Sequence, residues 1–389
     1  VDLVVVGAGI SGLAAAHFFR ERNPRARILI LDNHDDFGGH ARRCEMHVDG
    51  RLLVSYGGSE SIQSPHELWS ERALALLQDL DIDLERFESA FQRTLYPDLG
   101  LSRGLLFPRE TYGIDALAVG DPTPMIADDI PPGRLNARSH EDFIRQFPLD
   151  ARSREQLIAL YTRGRDFWPK QSLEEKMQLL ASMSYRAFLI QQWGLSARAA
   201  STFQKRPHDF FAVGIDLLPA MEAAGTGYPG FEGLGLPLHP NDAAKLEDPY
   251  IHHFPDGNAS IARLLVRRLV PNAARGSTMD DIVLAKFDYS RLDAADAPVR
   301  IRLDSTVVEL ANRARDRVDI GYVHAGALHR VQAKNVVYAG YNMMLPHVLS
   351  ELPGRQRTGL SMGVKAPLVY VKIAVRNWRA WEKTGGDEV

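Results

Sequence analysis

Val1-Asp2-Leu3-Val4-Val5-Val6-Gly7-Ala8-Gly9-Ile10-Ser11-Gly12, continued through Leu13 to Arg22 and on to Arg27-Ile28-Leu29-Ile30-Leu31-Asp32, is the stretch that decides how this chain folds. Val1 to Val6 is short, apolar and rich in β-branched residues, as a parallel strand buried on both faces requires. Gly7, Gly9 and Gly12 follow in the spacing G-x-G-x-x-G, Leu13 to Arg22 predicts a helix stopping at Asn23 and Pro24, and Arg27 to Leu31 predicts a second strand. The glycines need that βαβ context: the turn must be tight, the backbone must approach a pyrophosphate, and the third glycine must let helix and strand pack closely. The helix N-terminus then points unpaired N–H groups and a partial positive charge at the phosphates. Asp32 stands where a carboxylate accepts hydrogen bonds from ribose hydroxyls. These residues alone leave NAD and FAD both open.

Around that unit, 389 residues predict two or three folded units at roughly 150 residues each. Forty-six Lys and Arg against forty-nine Asp and Glu give a net charge of -3, and 45% apolar with 24% charged residues is ordinary for a globular protein. Disorder and collagen-like fibres are excluded, and no overall basic field exists to attract nucleic acid. Cys44 is the single cysteine, so no internal disulfide forms. No run of about 18 apolar residues predicts a transmembrane helix. The chain therefore reads as soluble, and its start at Val1 suggests that a segment ahead of it has been removed.

Beyond Asp32, the run Asp36-Phe37-Gly38-Gly39-His40-Ala41 places a Gly-Gly pair just after the ribose acid. Tyr56-Gly57-Gly58-Ser59 follows a hairpin turning at Asp49 and Gly50. With these residues the chain resembles the flavin-containing amine oxidoreductases, and within them the bacterial spermidine dehydrogenase branch. The resemblance implies an α/β fold: a Rossmann-like FAD-binding domain of the glutathione-reductase, amine-oxidase type, with an inserted substrate domain of helices and a sheet. It implies FAD contacts from Gly7, Gly9, Gly12, Asp32, Gly38, Gly39, His40, Arg42, Gly57, Gly58, Ser59 and Val307. His40 stands where the family usually has arginine, and Arg42 or Arg43 are the alternative cations. A solvated loop histidine is the other reading of His40.

From about 65 to 245 the patterns are mainly helical, as at Leu68–Leu80, Ser139–Gln146, Ser153–Arg163 and Leu173–Trp193. Eleven aromatics fall between 161 and 231, nearly double the chain average of 8%, which suits either a helical core or an aromatic substrate cavity. Gly225 to Pro237 predicts a loop. Phe254 to Asn258 predicts a turn before a helix over Ala259–Leu269. Arg300–Leu303, Thr306–Ala311, Val318–Val323 and Val336–Ala339 then predict strands. Val307 to Leu310 matches the family's Val-x-x-Leu strand, whose valine backbone contacts adenine. The expected domains are 1–64 and 250–345 for the cofactor, a mainly helical cap over 65–249, and the start of a substrate-domain sheet over 346–389. That sheet is expected to open within 360–378. The resemblance also implies that a closing C-terminal segment is missing.

In the family a lysine sits near the flavin N5, and Lys365 is the candidate, although registering on Tyr370 and Lys372 places Ala366 there instead. Glu60 is the acid nearest the second glycine segment and is the candidate anchor for a distal ammonium. A carboxylate bonding loop N–H groups is the competing reading. No H-E-x-x-H, C-x-x-C or G-x-S-x-G pattern is present, and His252 and His253 read as surface or loop residues rather than metal ligands. Haem b is implied by resemblance only, since no C-x-x-C-H attachment pattern occurs.

The leading expectation is FAD-dependent oxidation of an amine, a polyamine such as spermidine, with an electron acceptor that the sequence does not name. A desaturase-type flavin enzyme and an inactive dinucleotide-binding protein are the alternatives. Export signals common in the branch point to the periplasm, with the cytoplasm otherwise.

Overall fold

Val4 and Val5 are wholly buried, and so is Ile30, because the central sheet they belong to is covered on both faces. In the computed structural model, which describes residues 1–123, 130, 133–238, 248, 251–313, 316–384 and 386–388, the chain divides into two compact units. The first comprises Val1–Ala90 and His252–Ala374, the second Phe91–Ile251 and Val375–Val389. The division falls at 90/91 and 251/252, where the sequence placed it at 64/65 and 249/250.

In the first unit the opening residues form β1 (Leu3–Val6), α1 (Ile10–Arg22) and β2 (Ile28–Leu31). The Asp49-Gly50 turn joins β3 (Cys44–Val48) to β4 (Arg51–Ser55), with Val48 opposite Arg51. Next come α2 (Glu71–Asp79) and, after the second unit's residues, α3 (Ala259–Leu269), β5 (Val299–Arg302), β6 (Ser305–Arg313), β7 (Arg317–His324), β8 (Ala327–Ala333) and β9 (Asn335–Tyr338). A four-stranded parallel sheet runs in the order β9-β1-β2-β5. Alternation along β1 and β2 splits their side chains between the two faces. Val4, Leu29 and Leu31 meet Leu310, Ile320, Tyr322 and Ala333 of the antiparallel β6-β7-β8 sheet. On the opposite side α1 packs against β1, β2 and α3. The arrangement is a Rossmann-like, mixed α/β domain.

The strand β8 escaped the sequence pattern because it is the outer strand of its sheet: most of its residues face solvent, Leu328 at 74% exposure. The expected strand within 360–378 is corrected. A helix covers Gly354–Ser361, and residues 363–375 have no regular structure, with Val369 and Ile373 about as exposed as free side chains, at 82% and 77%. β-Branched residues favour a strand only where a neighbouring backbone takes up their N–H and C=O groups, and no described strand pairs with this segment. His252 is likewise corrected: it is buried, edge-on to Phe87 with ring centroids 5.9 Å apart.

The second unit is mainly helical, with an antiparallel hairpin of Ser102–Phe107 and Ala116–Val119. Ser139, Asp150, Ser172 and Ser184 each cap a helix by accepting a backbone N–H, and the last of these breaks the single helix expected over Leu173–Trp193 into Leu173–Ser182 and Tyr185–Gln191. Its aromatics build a core. Phe188 stacks on Phe231 at 4.7 Å, Tyr185 donates its hydroxyl to the Pro229 carbonyl, and Trp193 donates to Gly230, so the glycine-rich loop is tied down to that core.

Candidate dinucleotide site

The carboxyl ends of β1, β2 and β9 lie side by side, and the glycine turn leaves β1 among them. Gly7 donates its N–H to the Leu31 carbonyl, and a Cβ on Gly7 would meet the Ala339 carbonyl oxygen at 2.9 Å. A Cβ on Gly12 would lie 1.9 Å from the Gly7 oxygen, so the close approach of α1 to its own strand excludes any side chain there. Gly9 is different. Its φ of −69° and ψ of 171° suit any residue, and its Cβ would come no nearer than 3.9 Å to another atom. Nothing in the folded chain demands glycine at this position.

Gly9 is also the N-cap of α1 and supplies no side-chain acceptor, and the first turn of that 13-residue helix contains no acid. The helix therefore presents bare N–H groups and the positive end of its dipole beyond a residue with no side chain, which is the donor arrangement that a pyrophosphate fits.

Asp32 immediately follows β2 and is buried. One carboxylate oxygen accepts the Ala8 N–H at 2.6 Å, and the other accepts the His34 N–H and the His34 Nδ1, both at 2.9 Å. The acid thus braces the glycine turn from below. Ser305 donates its N–H to the Asp32 carbonyl and Asp304 to that of His34, which ties the start of β6 to the same corner. Val307 lies two residues further along β6, opposite Tyr322, immediately before a register shift.

The second glycine pair closes over the first. Gly38 donates to the Ala8 carbonyl at 2.8 Å, and the backbones of Gly9 and Gly38 form a bridge. Gly39, His40 and Ala41 make one tight helical turn. The third pair rests on it: a Cβ on Gly57 would lie 2.0 Å from the Arg42 carbonyl oxygen, and one on Gly58 3.3 Å from that of His40. Asn258, at the start of α3, donates its side-chain amide to the Ser59 hydroxyl at 2.9 Å, and its backbone N–H to the Ser59 carbonyl. Glu60 continues from there, with its Cα against Gly257. The structure thus brings Gly7, Gly9, Asp32, Gly38, Gly39, His40, Arg42, Gly57, Gly58, Ser59 and Glu60 into one ribbon of chain turns, packed against the first turn of α1 at Gly12.

Among the cations, Arg43 is committed elsewhere. It pairs with Asp256 at 3.0 Å and with Glu45, and although burial alone would weaken its hold on the proton, these ion pairs raise its pKa above the ordinary value. Arg42 is half exposed and pairs with Asp35 at 2.9 Å. Both line a cavity of about 330 Å³, together with Asp36, Phe37, Arg263 and Tyr289. Burial, reinforced by its hydrogen bond to Asp36, pushes the Tyr289 hydroxyl well up, so it stays protonated. His40 is exposed and hydrogen-bonded to the Tyr341 hydroxyl at 2.9 Å.

Lys365 lies exposed in the irregular segment. The lysine that the fold brings to the glycine ribbon is Lys372, whose ammonium lies 3.5 Å from the centroid of the Tyr56 ring, next to Gly57. Sequence reasoning also missed His34 and Tyr341. Each follows a recognisable signal, the ribose acid in one case and the Val336–Gly340 strand and turn in the other, but neither side chain belongs to a motif.

Residues 5–76 match the family described as NAD(P)-binding Rossmann-like domain. No curated protein matches the chain. Among solved structures, a protein assigned as protoporphyrinogen oxidase from Exiguobacterium sp. 255-15 is 14% identical with a TM-score of 0.48. A putrescine oxidase bound to putrescine is 17% identical with a TM-score of 0.42, and a fatty acid isomerase from P. acnes producing CLA is 13% identical with a TM-score of 0.41. Each alignment covers 92% of this chain and 63% of the other, so the chain spans less than two thirds of the length of these proteins. No helix among the described residues is long and apolar enough to cross a membrane.

Proposed function

We propose that this chain binds FAD along the glycine ribbon and serves the oxidation of an amine. The observation that carries the reading is Gly9, a glycine that the protein's own packing does not require, set before the uncapped N-terminus of α1. FAD is favoured over a nicotinamide dinucleotide by the resemblance that Gly38-Gly39 and Gly57-Gly58 carry to the flavin-containing amine oxidoreductases, although the positive φ of Gly38 and Gly39 and the packing of Gly57 on the Arg42 carbonyl mean that the chain's own backbone requires these glycines too. When bound, the flavin supplies a hydride acceptor for the carbon next to a neutral amine nitrogen, giving an imine that water hydrolyses.

In this reading the α1 N-terminus holds the pyrophosphate, Asp32 orients the ribose corner, and Arg42 lends positive charge from the loop. Glu60 anchors the distal ammonium of a polyamine such as spermidine, and the lysine for the flavin N5 side is either Lys365, exposed in the irregular segment, or Lys372, which lies against Tyr56. Haem b finds no support in these residues. The test is spectroscopic: the purified chain reconstituted with FAD shows flavin bands that spermidine bleaches without oxygen. Glu60→Gln raises KM for spermidine more than for a monoamine. Absence of retained flavin refutes the cofactor assignment, and flavin that no amine bleaches refutes the substrate assignment.

A further inference from the structure

Away from the glycine ribbon, the far end of α1 carries a group of side chains that nothing above uses. His17 and Glu21 lie four residues apart on one face of the helix, and Asp79 reaches them from the last residue of α2. Nε2 of His17 is 3.4 Å from an Asp79 oxygen and 3.6 Å from a Glu21 oxygen, and the three atoms all lie within 4.8 Å of one another. We propose that His17, Glu21 and Asp79 form a binding site for a divalent cation of the Zn²⁺ type, which clamps α1 to α2.

Three features support a cation at their centre. The first is spacing. Bonds of about 2.0–2.1 Å to a tetrahedral ion place its ligands roughly 3.3–3.4 Å apart. The two His17 separations, 3.4 and 3.6 Å, are close to that edge and longer than the roughly 2.7–2.9 Å of a direct charge-assisted hydrogen bond.

The second is position. Asp79 occupies the last turn of α2, at the negative end of the helix dipole where an anion is disfavoured, whereas the last turn of α1 around Glu21 carries Arg20 and Arg22. The last turn of α2 contains no basic residue to offset Asp79. Arg72 bonds the other oxygen of Glu21 at 2.6 Å, which leaves the Glu21 oxygen facing His17 to a further positive partner.

The third is chemistry. His17 is only 5% exposed, and it offers an imidazole nitrogen beside two carboxylates, of which Glu21 already shares its charge with Arg72. An imidazole in the set favours zinc over magnesium or calcium, which prefer oxygen ligands alone. Three protein ligands leave the fourth position to water.

The competing account is a protonated His17 that holds the same two acids without a metal, and titration with Co²⁺ separates the two. The full chain, stripped with EDTA, is expected to develop the visible bands of tetrahedral Co²⁺, and Zn²⁺ is expected to displace them. His17→Gln and Asp79→Asn abolish the bands and weaken Zn²⁺ binding by roughly tenfold or more. Zn²⁺ at about one hundred times its Kd raises the Tm of the unaltered chain by roughly 5 °C, and raises the Tm of these variants by no more than about half as much. Should His17→Gln, at the buried position, fail to fold, Asp79→Asn and Glu21→Gln, at partly exposed positions, give the same comparison. A folded, unaltered chain without the Co²⁺ bands overturns the proposal, and so do bands that persist in the folded variants.

Discussion

Replacing Gly9 by alanine separates what the fold needs from what a ligand needs. The new methyl would meet the Gly38 carbonyl oxygen and the Gly39 Cα at 3.9 Å, ordinary van der Waals distances, on a backbone already in an extended conformation. Alanine is a poorer N-cap than glycine by a few tenths to about 1 kcal/mol. It also removes conformational freedom from the unfolded chain, which returns about 0.4–1 kcal/mol. The two nearly cancel, so Gly9→Ala should change stability by less than about 0.5 kcal/mol. Gly12→Ala has no such latitude: its methyl would sit 1.9 Å from the Gly7 oxygen and 3.1 Å from a Val5 methyl, and the helix must lift off its strand. Overpacking of this kind costs about 1–3 kcal/mol or more. The binding effects should run differently. A methyl on Gly9 stands between the α1 N-terminus and any pyrophosphate, and each charge-assisted bond lost is worth about 1.5–3 kcal/mol, or roughly 10- to 150-fold in Kd. The assay is thermal denaturation of the apo-protein alongside FAD titration. A Gly9→Ala protein that binds FAD as tightly as the parent, or that melts as early as Gly12→Ala, refutes the argument.

Other consequences follow from the same geometry. Asp32→Ala strips the acceptor from the Ala8 and His34 N–H groups, and should both lower retained flavin and destabilise the first unit by about 1–3 kcal/mol; urea denaturation and flavin content unchanged together would contradict this. Asp256, fully buried and bonded to Arg43 and to the Ser260 hydroxyl, should cost about 3–5 kcal/mol when replaced by alanine, and the Arg43→Met, Asp256→Ala double variant should lose less than the sum of the singles. Asp281 gives a pH signature. Burial pushes its carboxyl up, but Arg267 and the Thr278 and Ser277 N–H groups outweigh that and hold it well below the ordinary 3.8. A depressed folded-state pKa contributes stability that is present above 3.8 and lost as pH falls below it. The unaltered chain should therefore exceed Asp281→Asn in stability at neutral pH and converge with it in acid; an equal gap at pH 7 and pH 2.5 would rule out this linkage.

The βαβ unit was legible because each of its parts is local. An apolar run, a glycine spacing, a helix length and a closing acid all lie within 32 residues, and the structure reproduces them as β1, α1, β2 and a buried Asp32. The hairpin at Asp49-Gly50 and the helix Ala259–Leu269 were legible for the same reason. What the sequence concealed depends on partners far along the chain. Nothing near Arg43 announces that Asp256 will hold it, and nothing near Tyr56 announces Lys372.

Two apolar stretches make the physical difference plain. Val1–Val6 and residues 364–375 have similar compositions, and by pattern both are strands. In the first, Val4 and Val5 face Leu29 and Ile30 on one side and Val336 and Val337 on the other, so their polar backbone is satisfied and their side chains are buried. In the second, no described strand offers a ladder, and Val364, Val369 and Ile373 stand in solvent. β-Propensity measures how well a side chain fits a pleated surface that already exists. A single segment can show that it would suit such a surface, but only the residues that pair with it decide whether the surface is there.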